Sequence, residues 1–263
     1  TSLVLLQAQQ KLNENAAVMS PRYATVNPAA NAGLVEGMKG LFNPTDTISR
    51  QFKNGMMGMG VLGYEEINMS QSIKQFTVGT RTATGGTTSA AVTVEGATTI
   101  AITGAGNAAT VKIGDVFTIA GVFAVNPQTR ESTGSLFQFV AAANVTLDGS
   151  GAGNVTVAPM YSAAQALATM DSLPASGAAV VFIGASGVQY PQNLVYHKDA
   201  ITFATADLLM PQGVDMASRQ VHNGISMRIV RQYDINNDRM PCRIDVLYGF
   251  GVIRPEMAVR MWG

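Results

Sequence analysis

The sequence predicts an α+β fold, and three regions of the chain carry that prediction. Residues 1–17 repeat apolar side chains at three- and four-residue steps, as an amphipathic helix does. From Thr80 to about Gly187 the chain is dense in Gly, Ala, Thr and Val, arranged in short alternating runs. Residues 193–261 contain longer apolar runs separated by turn signals, which predict three or four further strands. Helices that precede a mostly β chain favour the α+β class.

Helices are predicted only in the first part of the chain and in one later segment. The apolar stripe of the first helix consists of Val4, Leu5, Ala8, Leu12 and Ala16. A second helix is predicted over residues 28–42, with Asn27 as its N-cap and a proline in the first position. A third, short helix is predicted over residues 45–54.

Short strands separated by glycine-containing turns are predicted throughout the middle of the chain. The predicted segments are residues 91–94, 98–102, 116–119, 137–140, 144–147 and 154–157. A short helix is predicted near the end of this region, over residues 163–170. So many short strands indicate a small barrel or sandwich of about 100 residues. The change of composition on either side of it suggests an insertion into a host domain.

The composition limits the functions open to this chain. Charged residues make up 13% of the chain, about half of the roughly 25% that is typical of soluble proteins. This shortage favours a subunit whose surface is covered by neighbouring subunits. A β protein with small polar residues on its surface fits the composition equally well. The net charge is zero, whereas a protein that grips nucleic-acid phosphates carries a basic excess. The single cysteine, Cys242, excludes an internal disulfide, and we expect its thiol to be buried. No apolar run approaches the roughly 18 residues of a membrane span.

Several motifs resemble catalytic or binding sites without meeting their requirements. Residues 58–63 spell GxGxxG, but no strand precedes them and no helix follows, as a dinucleotide site requires. Residues 234–238 resemble the start of a calcium loop but lack its glycine and its late glutamate, so a polar hairpin is expected. His197 and His222 are too few for an all-histidine zinc site. Thr1 opens a helix, unlike an N-terminal threonine nucleophile. We therefore predict no catalytic, cofactor or metal site.

Three groups of short sequence motifs, in the order in which they occur along the chain, resemble those of one protein family. They are residues 21–24 with 28–30 and 40–42 (PRYA, PAA, GLF), residues 113–122 (IGDVFTIAGV), and residues 241–244 with 248–249 and 254–256 (PCRI, YG, RPE). Together they resemble the major capsid (coat) proteins of short-tailed phages related to the Salmonella phage type. No single phrase is diagnostic, but the ordered set is specific.

The resemblance implies a Hong Kong-97-type capsid fold, built from a spine helix, an axial domain and a peripheral domain, with an inserted small β-barrel. By that resemblance, residues 1–19 are the end of the spine helix and residues 20–80 the first part of the axial domain. Residues 81–187 are the inserted β-barrel, and residues 188–263 return through axial and peripheral strands. The family's N-terminal arm, its extended loop and the first part of its spine helix have no counterpart in these residues.

The resemblance also implies a function without catalysis. It implies a structural virion protein, the major capsid subunit, that self-assembles as hexamers and pentamers into an icosahedral shell. That shell would enclose double-stranded DNA without sequence-specific binding, with scaffolding and portal proteins as partners and no membrane. Assembly would take place in the host cytoplasm and the product would be the virion capsid.

Charged side chains are scarce in the predicted insertion, so those present are candidates for contacts between subunits. They are Lys112, Asp115, Arg130 and Glu131; solvated loop charges are the alternative interpretation. Two other protein classes stay open at this point. One is a phage tail or adhesin module that binds a surface ligand, which the β-rich middle fits but the helical start does not. The other is a processed hydrolase built on Thr1.

Overall fold

A computed structural model describes residues 2–38, 58–82 and 85–262 of the chain, and these residues form a mixed helix and strand fold that is mostly sheet. The helices are α1 (Ser2–Glu14) and α2 (Pro28–Met38). The strands are β1 (Arg22–Val26), β2 (Gly58–Val61), β3 (Tyr64–Met69), β4 (Gln75–Thr77), β5 (Thr87–Thr88), β6 (Thr99–Thr103), β7 (Thr110–Val111), β8 (Val116–Val125), β9 (Ser132–Val140), β10 (Val145–Thr146), β11 (Gly153–Thr156), β12 (Val180–Phe182), β13 (Gln189–Pro191), β14 (Asn193–His197), β15 (Ile201–Ala206), β16 (Met216–His222), β17 (Ile225–Arg231), β18 (Cys242–Val252) and β19 (Ala258–Met261). A short 3-10 helix, Pro255–Met257, precedes β19.

The chain divides into two compact units. The first unit holds the residues up to His197 together with those from Glu256 onward, and the second unit is Lys198–Pro255. Because strands β14 and β19 flank the second unit in sequence and pair with each other, the chain leaves the first unit and returns to it at adjacent strands.

The first two helices form where the sequence predicts them. In α1 the buried side chains are Leu5, Ala8 and Leu12, which belong to the predicted stripe. Helix α2 begins at Pro28, and the side-chain oxygen of Asn27 accepts a hydrogen bond from the Ala30 amide at 3.1 Å, as an N-cap does. The predicted end of this helix and the third predicted helix, residues 45–54, lie outside the described residues.

Replacement of Asn27 with alanine should lower the free energy of unfolding by about 1 kcal/mol, because it removes the cap of α2. Urea unfolding followed by circular dichroism measures the change. The Asn27→Ser variant keeps a capping oxygen and should stay close to wild type. Equal losses in both variants would show that the side-chain oxygen does not stabilise the helix.

The central sheet of the first unit has the strand order β19-β14-β1-β3-β2. Strand β1 pairs in parallel with β3, and the other neighbours are antiparallel. The Tyr64 hydroxyl in β3 donates a hydrogen bond of 2.7 Å to the Leu5 carbonyl, which ties α1 to this sheet. Burial raises the pKa of Tyr64 to about 12, so the hydroxyl stays a donor across the physiological pH range.

A two-stranded ribbon, β4 paired with β13, carries the chain into and out of the middle region. The ribbon continues through a hydrogen bond of 3.0 Å from the Val78 amide to the Val188 carbonyl. The incoming and outgoing segments therefore lie side by side, and we call this pair of segments the neck.

The middle region has three small sheets around one core. Their orders are β11-β6-β5, β12-β8-β9 and β10-β7. The shared core comprises Ile100, Ile102, Ala105, Ala109, Val111, Phe117, Ile119, Val122, Phe139, Ala141, Leu147, Val155, Val157, Met160, Met170, Val180 and Phe182. The predicted strand segments 98–102, 116–119, 137–140, 144–147 and 154–157 all overlap observed strands. Their inward-facing residues supply eight of the seventeen members of this core.

Two predictions in the middle region are wrong. Residues 91–94 form no strand: the Val92 amide bonds to the Pro174 carbonyl, and Val94 is 66% exposed. Residues 163–170 form turns rather than a helix. The amide of Met170 bonds instead to the carbonyl of Tyr161, and its side chain enters the core. Long-range partners thus outweigh the helix propensity of the alanine-rich segment.

The second unit is an antiparallel sheet with the order β15-β18-β17-β16. Asn223 and Gly224 form the two-residue turn between β16 and β17, both with positive φ (50° and 77°), as a tight hairpin requires. The prediction of three or four strands after residue 193 is too low, because β14 to β19 all lie there. Short turns divide apolar stretches, which look continuous in the sequence, into separate strands.

Candidate interaction surface

One face of the second unit's sheet carries a continuous group of apolar side chains, which we call the apolar face. Alternate residues of a strand point to the same side of a sheet. The register sets Phe203 opposite Phe250 and Met227 opposite Val246, so the apolar positions of neighbouring strands coincide. The apolar members of this face are Ile201, Phe203, Met216, Ile225, Met227, Ile229, Ile244, Val246, Tyr248, Phe250 and Val252.

The apolar face is open to solvent. Phe250 is 79% exposed, Ile244 67% and Val252 62%. Within residues 198–255 only Ala200 and Ser226 are buried, so the second unit has no hydrophobic core of its own. An antiparallel sheet ordinarily packs its apolar face on a core. Soluble monomers rarely expose contiguous apolar patches larger than about 300–600 Å², so this face has the character of an interaction surface.

The opposite face of the same sheet is different in chemistry. It carries the ion pair of Arg228 with Asp245, and Arg243 also reaches Asp245 at 2.8 Å. Hydrogen bonds from Arg228 and then from Arg243 lower the pKa of the Asp245 carboxyl, which keeps it charged. Small residues, Gly249 and Gly251, continue this face along β18. The second face therefore combines ion pairs and small residues with three apolar side chains, those of Val221, Val230 and Leu247.

The sequence carries a signal for the apolar face in the pattern of β18, which the functional motifs considered above do not include. In β18 the apolar residues occupy alternate positions from Ile244 to Val252. Alternation over five positions, interrupted by Leu247, indicates a strand with one mainly apolar side. The same pattern is typical of a strand that covers an ordinary core, so periodicity identifies the face but not its exposure.

The four charged residues proposed from the sequence lie in different environments. Asp115 is completely buried, and its carboxylate accepts a hydrogen bond of 3.0 Å from the Arg81 guanidinium and one of 2.8 Å from the Lys112 amide. Asp115 therefore serves within the chain, and its expected place at a subunit contact is corrected. The Lys112 side chain is half-buried, while Arg130 and Glu131 are exposed between β8 and β9.

The two sequence motifs that resemble a dinucleotide site and a calcium loop both form hairpins. Residues 58–63 form a β-hairpin, β2 to β3, with its turn at Leu62 and Gly63. Residues 234–238 form the polar hairpin expected there, closed by a bridge between Asp234 and Arg239. His222 is exposed and His197 is buried in β14. Thr1 lies outside the described residues.

The expectation of a buried thiol at Cys242 is wrong. Cys242 is exposed. It lies at the start of β18, on the same side of the strand as Ile244, and nothing in the described part of the second unit covers that side. A residue type that is usually buried is exposed here because the whole face is open.

Among the described residues, no three or more His, Cys, Asp or Glu side chains are grouped so that they could hold a metal ion.

None of the helices within the described ranges is long and apolar enough to cross a membrane.

Comparison with known proteins gives one strong result. The family described as P22 coat protein, gene protein 5, matches residues 4–263, which is nearly the whole chain. No curated protein matches the chain. The family is one of structural coat proteins rather than enzymes, and it gives no support to a tail or adhesin module. The chain belongs to the P22 coat protein family, and it is a structural major capsid subunit of a phage.

Proposed function

We propose that this capsid subunit self-assembles by burying the apolar face of its second unit. The product is an icosahedral shell of hexamers and pentamers that encloses double-stranded DNA without sequence-specific binding. Scaffolding and portal proteins take part, assembly occurs in the host cytoplasm, and the subunit performs no catalysis. The exposure of the apolar face is the observation that carries the proposal, because stable assemblies bury large apolar surfaces and this one is already formed.

We further propose that the chain has a Hong Kong-97-type fold with residues 81–187 as an inserted β-barrel. Residues 1–19 are then the end of the spine helix, residues 20–80 the first axial part, and residues 188–263 the returning strands. Two features support the insertion. The neck brings the incoming and outgoing segments side by side, and the strands between them share a core of their own.

Three of the predicted charged residues remain proposals for contacts between subunits. Arg130 and Glu131 lie in an exposed turn, where a neighbour can reach both charges. The half-buried Lys112 is adjacent to the buried Asp115 loop. Exposed ion pairs contribute only about 0–1 kcal/mol each, so these residues would set the register between subunits more than the strength of the shell.

Substitution on the apolar face tests the assembly proposal. The Phe250→Ser variant, co-expressed with the scaffolding protein of the same phage, should form at least about tenfold fewer closed shells than the wild type, since an interface anchor is lost. Negative-stain electron microscopy and sedimentation count shells against unassembled subunits. Wild type should give closed shells or hexameric rings; a wild type that stays monomeric would refute the assembly proposal.

The matched control lies on the same strand and the opposite face. Leu247 is 49% exposed, and the Leu247→Ser variant removes a similar apolar side chain from the face that carries the Arg228–Asp245 ion pair. Shells should form normally with this variant. Normal shells with both variants would show that the apolar face does not drive assembly.

A further inference from the structure

A groove in the first unit has the features of a peptide-binding site and is distinct from the apolar face. Its volume is about 390 Å³, and it lies between helix α1, strand β9 and the C-terminal strand β19. Gln7, Lys11 and Glu14 line it from the helix, Leu136 from β9, and Arg260 from β19. Trp262, which follows β19, also lines the groove.

Two cations in the groove have unused hydrogen-bonding capacity. Among the described residues none accepts a hydrogen bond from the Lys11 ammonium. Arg260 donates a single hydrogen bond, 2.6 Å from Nη2 to the Gly114 carbonyl, and its remaining guanidinium donors have no partner in the described ranges. Burial lowers the pKa of both side chains from their ordinary values, with partial compensation from Glu14 for Lys11 and from Asp115 for Arg260. An anion in the groove would offset that cost.

The nearby carboxylates offset only part of this positive charge. Glu14 accepts hydrogen bonds from Gln10 at 2.7 Å and from Ser135 at 3.2 Å, both on Oε1, and its charge compensates Lys11 only in part. Asp115 already pairs with Arg81. The groove therefore holds two cations against one acidic lining residue, an arrangement that favours an acidic partner.

The strand that lines one side of the groove is also an edge strand. Strand β19 is an outer strand of the central sheet, with β14 as its sole neighbour. No backbone hydrogen bond joins residues 258–262 to any other described residue outside that ladder. A sheet edge of this kind can pair with an extended peptide, which gains main-chain hydrogen bonds and side-chain contacts at alternate positions.

The aromatic end of the groove is held in place. Trp262 stacks on Phe76 with ring centroids 6.0 Å apart and contacts Tyr190 at 5.5 Å. The Arg260 guanidinium lies 4.8 Å from the Trp262 ring centre. These contacts fix an apolar surface beside the cationic one.

We propose that this groove binds an extended acidic peptide segment of a partner protein, which pairs with β19 and places a carboxylate within reach of Lys11 and Arg260. Specificity comes from the two cations and affinity from the sheet edge and Trp262. The occupant is thus a strand-forming segment that alternates acidic and apolar residues, because alternate side chains of a strand face opposite sides.

Trp262 provides the readout, since it is the only tryptophan of the chain. The unassembled full chain is titrated with a short end-blocked peptide that alternates valine and glutamate, and Trp262 fluorescence is recorded. The matched peptide carries glutamine in place of glutamate and should bind about tenfold or more weakly, as should the acidic peptide at high salt. N-methylation of alternate peptide amides should also weaken binding, because it blocks strand pairing.

Variants locate the site. Lys11→Gln should weaken binding of the acidic peptide by about tenfold, while Lys74→Gln removes the same charge outside the groove and should leave it unchanged. Equal binding of the glutamate and glutamine peptides, or no effect of Lys11→Gln in a normally folded chain, would overturn the proposal. A fluorescence change that follows the chain's own concentration rather than the peptide's would overturn it in favour of self-contact. Shell formation is not part of the assay, so its failure is a separate result.

Discussion

Replacement of Asp115 with alanine should destabilise the first unit by about 3–5 kcal/mol, because it leaves the buried Arg81 guanidinium without its counter-charge. The Arg81 and Asp115 side chains are 1% and 0% exposed, with Nη1 and Oδ2 separated by 3.0 Å. Asp115 also accepts a hydrogen bond from the Gly79 amide, so the pair ties the start of the middle region to the loop before β8. Loss of the carboxylate removes both interactions from a site that water does not reach.

The Arg81–Asp115 pair is important because of its contacts near the neck. Besides Asp115, the Arg81 guanidinium donates to the Gly79 carbonyl at 3.0 Å, and it lies 4.1 Å from the ring centre of Phe182. One side chain therefore contacts the incoming segment, strand β12 of the middle region and the loop between β7 and β8. We expect the Asp115 variant to loosen the attachment of the middle region as well as to lower its stability.

Urea unfolding of the full chain, followed by far-ultraviolet circular dichroism, measures the effect. Glu131→Ala is the matched control, because Glu131 is an exposed carboxylate and should change stability by less than about 0.5 kcal/mol. The double variant Arg81→Met with Asp115→Leu should recover much of the loss, since an apolar pair can replace a buried ion pair. A loss below about 1 kcal/mol for Asp115→Ala would contradict the role of the pair.

Replacement of Phe117 with alanine should cost about 3–5 kcal/mol, because it opens a cavity at the centre of the middle region's core. Phe117 is completely buried in β8, which lies between β9 and β12. Its ring is 5.4 Å from that of Phe139 and 5.1 Å from that of Phe182. Both neighbours lose aromatic contacts that contribute beyond the buried area.

The same substitution at Phe250 separates folding from assembly. Phe250 is 79% exposed, so Phe250→Ala should lower the free energy of unfolding by about 1 kcal/mol or less. It should nevertheless reduce shell formation, whereas Phe117→Ala should lower the melting temperature of the unassembled chain. Equal destabilisation by the two variants would show that the second unit is packed differently in solution.

Much of the fold follows from local pattern. The stripe of α1, the cap of α2 at Asn27 and most strands of the middle region are predictable, because helix and strand periods are written in neighbouring residues. The segment 163–170 has helix-forming residues, yet Met170 is drawn into the core and Leu167 is 70% exposed. The conformation of this segment depends on contacts with residues that are distant in the sequence, and a prediction from neighbouring residues does not include them.

By itself the sequence determined the α+β class and the resemblance that the family match confirmed. Only the tertiary structure decided which faces are covered. It buries the charge of Asp115 against Arg81, which is 34 residues away in the chain, and it leaves Cys242 and Phe250 in solvent. The physical reason is that periodicity specifies the side of a strand on which residues lie, whereas burial depends on what packs against that side.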